Sequence, residues 1–184
     1  PMFIDSHCHL DFPDFAEELD DVVARARNAG VRRMVTICTR LDRLASVMAI
    51  ADRFPDVFVA AGTHPHEAAT GESVTVERLV EIAQHPKLVG IGETGLDYFY
   101  DHSPRDDQQQ SFRTHMRAAR KSGLPLIVHT READEDTIRL IDEERQGGTE
   151  APLRGVIHCF SSGRELAEKA VEFAEQHEAK VMAY

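Results

Sequence analysis

Three consecutive stretches decide the fold: Val31-Arg-Arg-Met-Val-Thr-Ile-Cys38, then Arg40 to Phe54, then Val57-Phe-Val-Ala-Ala61. The first is short and rich in β-branched and apolar side chains (Val31, Met34, Val35, Ile37), the composition of a strand. The second carries Leu41, Leu44, Val47, Met48 and Ala51 at three- and four-residue spacing, one face of a helix, and Pro55 stops it. The third is again a strand. A strand, a crossover helix and a second strand in so few residues form one βαβ unit, and such units pair their strands in parallel.

The same alternation extends in both directions. Upstream, Met2 to Ile4 reads as a strand and Asp14 to Ala29 as a helix closed by Gly30. Downstream, the expected strands are Leu88–Ile91, Leu124–Val128, Val156–Ile157 and the beginning of another at Val181–Tyr184. The expected helices are Val74–Gln84, Pro104–Ser122, Glu132–Gln146 and Arg164–His177, with Glu93 to Ser103 a loop. The fold class is therefore α/β, either a doubly wound sheet or a (β/α) barrel of the TIM type. No G-x-G-x-x-G follows the first strand and no G-x-x-x-x-G-K-[ST] occurs, so the nucleotide-cradling open sheet has no support.

Composition sets the frame. The 184 residues are 42% apolar and 29% charged, which excludes a disordered or fibrous chain and suggests one domain over 1–184. Lys and Arg number 21 against 32 Asp and Glu, a net charge of −11, so no basic sheath surrounds the molecule. Arg113, Arg117, Arg120 and Lys121 share one helix, read as a solvated face of alternating charge. Cys8, Cys38 and Cys159 make no disulfide framework, and no signal peptide or membrane-spanning run is evident. A reducing cytoplasm is the expected compartment, with Met2 the natural start and Pro1 a residue left by cloning.

The unusual feature is ten histidines. Six fall just past expected strands: His7 and His9, His64 and His66, His129, and His158, with Glu93 after the fourth strand. The C-terminal ends of parallel strands are where such folds build their sites. In extended chain, residues two apart point the same way, so His7 and His9 aim both rings at one point while Cys8 points away. An isolated His-x-His is more often incidental than not, and a lone histidine after an apolar strand is more often a hydrogen-bonded structural residue. Their recurrence at matched strand ends, joined by a glutamate, points instead to a mixed nitrogen and oxygen ligand set. That set suits zinc, manganese or nickel-like ions and, with more water, magnesium. The remaining histidines, His85, His102, His115 and His177, carry no special expectation.

Five segments then stand in order: Phe3-Ile-Asp-Ser-His-Cys-His-Leu-Asp11, Gly62-Thr-His-Pro-His66, Ile91-Gly-Glu-Thr-Gly-Leu-Asp-Tyr98, Leu126-Ile-Val-His-Thr-Arg131 and Val156-Ile-His-Cys-Phe160. Together they resemble the TatD-type metal-dependent hydrolases of the amidohydrolase superfamily. The resemblance implies a (β/α) barrel, two divalent metal ions (Mg, Mn or Zn), and phosphodiester hydrolysis, typically as a deoxyribonuclease acting on DNA ends or single strands. Carried over by position, His7 and His9 hold one ion, Glu93 bridges, and His129 and His158 hold the second. Glu93 and His64 are the expected catalytic residues, with His64 near the scissile phosphate and Arg131 helping with substrate charge. The family pattern continues to a Glu-Thr-Asp-Ala-Pro segment whose aspartate is a further ligand and base. No such segment occurs in these residues, so the expectation is a barrel truncated before its last strands, its open edge a route to self-association. No carboxylate is assigned as base. Asp5 is expected to orient a ligand histidine, and nothing promotes Asp97.

Two other functions fit the same ligands. One is an amidohydrolase cutting a C–N or aminoacyl ester bond, since the same metals polarise carbonyls. The other is a catalytically impaired fragment. A cationic pocket beside His64 favours the phosphodiesterase, and an apolar one the amidohydrolase.

Overall fold

A computed structural model describes residues 2–70, 74–145 and 151–175. Six strands form one sheet: β1 (Phe3–Cys8), β2 (Val31–Cys38), β3 (Val57–Ala61), β4 (Leu88–Asp97), β5 (Leu126–Arg131) and β6 (Gly155–Ile157). They lie in sequence order and every neighbouring pair is parallel. Six helices alternate with them: α1 (Leu19–Asn28), α2 (Leu44–Arg53), α3 (Val76–Ile82), α4 (Arg105–Ser122), α5 (Asp134–Arg145) and α6 (Arg164–Glu175). This is α/β architecture, the curled arc of a (β/α) barrel. Among the described residues, no helix is long and apolar enough to cross a membrane.

Strand parity sorts the side chains onto two faces. Met34, Cys38, Val57, Val59, Ala61, Leu126 and Val128 join the main core, which the helices cover with Val23, Leu79, Phe112, Met116, Leu140 and Leu166. The alternate residues Ile37, Ala60 and Ile127 form a second, smaller apolar cluster, packed by Val35 and Val156. His129 follows Ile127 by two and His158 follows Val156 by two, so both stand on this second face, where the apolar cluster makes the floor beneath them.

Several expected boundaries move. β1 runs on to Cys8 rather than ending at Ile4, and β5 runs to Arg131, placing His7 and His129 within strands. The Asp14–Ala29 helix divides into a short 3-10 turn at Pro13–Phe15 and α1 from Leu19. The expected seventh strand and the last residues of two helices, Gln146 and His177, lie outside the described residues.

The largest correction is β4, which continues through the expected loop to Asp97. Gly92 looked like a strand end. It instead sits at an irregularity in the β4–β5 register, after which pairing resumes with Thr94 opposite Val128 and Gly95 opposite His129. Gly95 has φ +137°, and a Cβ there would lie 1.9 Å from the His129 carbonyl oxygen. Only a residue without a side chain lets these strands approach so closely.

The basic residues of α4 are a solvated face only in part: Arg117 and Lys121 are exposed, while Arg113 is half-buried and Arg120 buried. Arg113 and Arg117 both pair with Glu144 of α5, at 3.0 and 2.7 Å. Arg120 is buried and donates to the Glu144 carbonyl at 2.8 Å. These three arginines tie α4 to α5 through Glu144.

Candidate metal centre

Glu93 is the hub. It stands in β4, buried at 4% exposure, and its two carboxylate oxygens face different imidazoles. Oε2 lies 3.3 Å from His7 Nε2, and Oε1 lies 3.2 Å from His129 Nδ1 and 3.8 Å from His64 Nε2. Burial alone raises a carboxyl pKa, but hydrogen bonds from His129 and His7 outweigh it and hold Glu93 well below the ordinary carboxylate range. It is an anion at neutral pH.

Two groups of potential ligands share it: His7, His9 and Glu93 on one side, and His64, Glu93 and His129 on the other, with donor atoms in each group within 4.8 Å of one another. His9 supplies a test of fit. Its Nδ1 is buried and has no hydrogen-bond partner, an expensive state for a polar atom unless something else fills its lone pair. Burial also lowers the His9 pKa, keeping the ring neutral and able to donate that pair to a cation. The residues present therefore suit divalent metal.

His158 lines the same cavity but belongs to neither group. Its ring stacks on His7 with centroids 3.5 Å apart and planes 5° from parallel. Burial and the neighbouring His7 lower its pKa.

His64 is distinct in its proton placement. The backbone N–H of His66 donates to His64 Nδ1 at 3.2 Å, so that nitrogen is an acceptor. A neutral ring then carries its proton on Nε2, the atom facing Glu93 and the cavity. Burial lowers the His64 pKa to about 4, against a partial opposing pull from Glu93, so the neutral donor form prevails at pH 7.

Asp97 had no assigned role, yet it organises the site. It is fully buried, and its Oδ2 lies 2.9 Å from His66 Nε2 and 3.0 Å from His129 Nε2. Its Oδ1 accepts the backbone N–H groups of Phe99 and Tyr100 at 3.1 and 2.9 Å. With all four acceptor positions used, it orients imidazoles rather than serving as a base. Its contact with His129 Nε2 orients the ring so that Nδ1 faces Glu93. Burial opposes the Asp97 charge, but the Tyr100 N–H and the two histidines outweigh it and lower the pKa. On His129, the two carboxylates likewise outweigh burial and raise the pKa.

The supports come from α4. Buried Gln108 accepts from Asp97 N at 2.8 Å and donates to Asp97 O at 3.2 Å and Ser103 O at 2.8 Å. Ser103 Oγ donates to His66 O at 2.9 Å. Buried His115 accepts the Thr63 N–H at 3.0 Å, fixing the segment that carries His64. Asp5 does not orient a histidine ring: its Oδ1 accepts from the His7 backbone N–H at 3.1 Å. The signal for Asp97 lay in strand parity, because Glu93, Gly95 and Asp97 share one face once the strand is continued through Gly92.

Glu93 and the six strand-end histidines line an open cavity of about 590 Å³, with Phe12, Glu67 and Arg131 also on its wall. Arg131 stacks over Phe99 at 4.1 Å and Tyr100 at 5.0 Å. His64 stands among His66, His129 and the Glu93 carboxylate, in a cavity whose wall also carries Glu67 and Arg131.

A family model described as TatD related DNase matches residues 4–175. The chain is 33% identical over 171 residues to a protein of Bacillus subtilis named uncharacterized metal-dependent hydrolase YabD, covering 93% of this chain and 66% of that one. It is 32% identical over 165 residues to a protein of Escherichia fergusonii named 3'-5' ssDNA/RNA exonuclease TatD, covering 89% of this chain and 61% of that one. The crystal structure of YjjV, a TatD homologue of Escherichia coli, superposes with a TM-score of 0.83 at 30% identity, covering 97% of this chain and 66% of that one. The chain thus spans a little under two thirds of the length of these proteins.

Proposed function

The chain belongs to the TatD-related DNase family, and from that premise we propose that it is a divalent-metal-dependent hydrolase of phosphodiester bonds, a deoxyribonuclease acting on DNA ends or single strands. One observation carries the reading: the buried Glu93 anion offers one oxygen to His7 and the other to His129, the arrangement expected of a carboxylate shared by two cations. His7 and His9 would hold one ion and His129 the second, while His158 lines the same cavity with its ring stacked on His7. Divalent ions bound there neutralise phosphodiester charge and bring the pKa of water toward neutrality.

The chain's own groups divide the remaining work. Glu93, ionised, sets the spacing between the two ligand groups. His64 presents Nε2–H to a phosphate oxygen as a neutral donor, which favours its role at the substrate over one as a ligand. Asp97 and Gln108 hold the imidazoles in register. Arg131 offers positive charge to the substrate.

The test is release of nucleotides from an end-labelled DNA strand in magnesium or manganese, before and after chelation. Metal-dependent release is expected. Its absence with both ions contradicts the reading.

A further inference from the structure

Among the described residues, two carboxylates line the cavity, and only one of them belongs to the hub. Glu93 is shared by both ligand groups, whereas Glu67 stands on the short 3-10 turn Pro65–Glu67 that follows β3. The Glu67 backbone N–H donates to the His64 carbonyl at 2.8 Å, so its place is tied to the residue that presents Nε2–H to the cavity. Its side chain is 29% exposed, and Oε2 accepts the Thr70 hydroxyl at 3.0 Å. Among the described residues, Oε1 accepts no hydrogen bond. An acceptor oxygen is therefore left open beside the candidate reaction centre.

The charge around Glu67 is not balanced. Arg40, which follows β2, faces Glu67 Oε2 at 3.5 Å but is held more closely by Asp42, at 2.7 and 3.1 Å. One guanidinium shared by two carboxylates leaves this corner net negative. The cation of the cavity wall stands elsewhere: Arg131 ends β5 and rests on Phe99 and Tyr100, which follow β4. The lining is thus negative after β3 and positive after β5. A strand end can present two kinds of group to such a lining. A terminal hydroxyl is neutral and donates a hydrogen bond to a carboxylate. A terminal phosphate monoester carries about −1.5 to −2 at pH 7, offers acceptor oxygens, and is repelled.

We propose that Glu67 is a specificity-determining residue of this site: it takes the hydroxyl at the end of a nucleic-acid strand and refuses a terminal phosphate monoester, and Arg40 sets the strength of the refusal. This rests on the phosphodiesterase reading and names what that site demands of a strand end. Because Glu67 is fixed to His64, the group it meets belongs to the nucleotide beside the reacting linkage rather than to a distant part of the strand. The discrimination is built from repulsion as much as from attraction. A glutamine in its place keeps an acceptor for the hydroxyl and loses the charge that turns the phosphate away. Ends that carry a phosphate must then be dephosphorylated by another enzyme before this one acts.

The test compares nucleotide release in manganese from three internally labelled DNA strands of one sequence: hydroxyl at both ends, phosphate at the 3′ end, and phosphate at the 5′ end. The value of kcat/KM is measured for the unaltered protein, Glu67→Gln and Arg40→Met, with folding checked by circular dichroism and bound manganese determined for each. One of the two phosphates should lower kcat/KM of the unaltered protein by about 5-fold or more. That penalty should shrink as salt is raised. Glu67→Gln should remove most of it, and Arg40→Met, which takes away the neutralising guanidinium, should deepen it. Equal degradation of all three strands by the unaltered protein, or a penalty that Glu67→Gln leaves intact, overturns the role of Glu67 and leaves the phosphodiesterase reading standing. Absence of release from every strand overturns both.

Discussion

Asp97 shows how one carboxylate can decide the state of a site without touching substrate. It holds His129 Nε2 and His66 Nε2 and is itself held by Gln108. Asp97→Asn keeps the volume but removes the charge and replaces an acceptor with a donor facing an imidazole. It should lower metal affinity by about 10- to 100-fold, measured by competition with a metallochromic chelator. An unchanged affinity would show that His129 needs no orienting partner.

His115 makes a pH prediction. It is fully buried, and desolvation lowers its pKa from 6.5 to about 4. Below pH 6.5 the unfolded chain takes up a proton that the folded chain refuses. The stability associated with the neutral ring is therefore full above pH 6.5 and is lost as pH falls toward 4. Urea unfolding of the chelated protein at about pH 7.5 and pH 5 should show the unaltered chain losing on the order of 2 kcal/mol more than His115→Gln. Equal losses would contradict it.

At the scale of elements, two glycines separate strain from close approach. Gly123 ends α4 with φ +74° and nothing within 4 Å of an added Cβ. Gly123→Ala should cost only the left-handed backbone term, about 1 kcal/mol in chemical unfolding. Gly95→Ala carries similar strain and also drives a methyl into the His129 carbonyl. It should cost at least twice as much and weaken metal binding, since β4 and β5 must part at the residue that carries the site. Equal costs would mean the strands are free to shift.

The same elements show what a reader of the sequence can see. The alternation of β2, α2 and β3 was plain, because each element is bounded by apolar period and by Pro55 or Gly30. The ligand candidates His7, His9, Glu93 and His129 were visible as polar residues ending apolar strands. Asp97 was hidden because Gly92 and Gly95 normally mark a strand's end, while here they permit the strand to continue against a neighbouring backbone. His115 was hidden because a histidine on a helix gives no sign of reaching Thr63, 52 residues away. The proton position on His64 depends on a backbone N–H whose direction only the fold determines.

At the scale of the whole molecule, the second apolar cluster and the helix-covered core frame a polar opening at the strand ends, where imidazoles and carboxylates converge. Metal that binds only the folded chain must stabilise it. At a concentration of about 100 Kd the gain is about 2.7 kcal/mol. Thermal unfolding should therefore rise with added manganese and fall back on chelation, and Glu93→Ala should abolish the dependence.

The most direct measurement is metal content per chain after equilibration with manganese or zinc and removal of excess. The unaltered protein should retain two ions, one beside His7 and His9 and one beside His129, with Glu93 between them. His9→Ala should retain one, and Glu93→Ala none. Retention of both ions by Glu93→Ala would contradict a shared carboxylate centre and the function built on it.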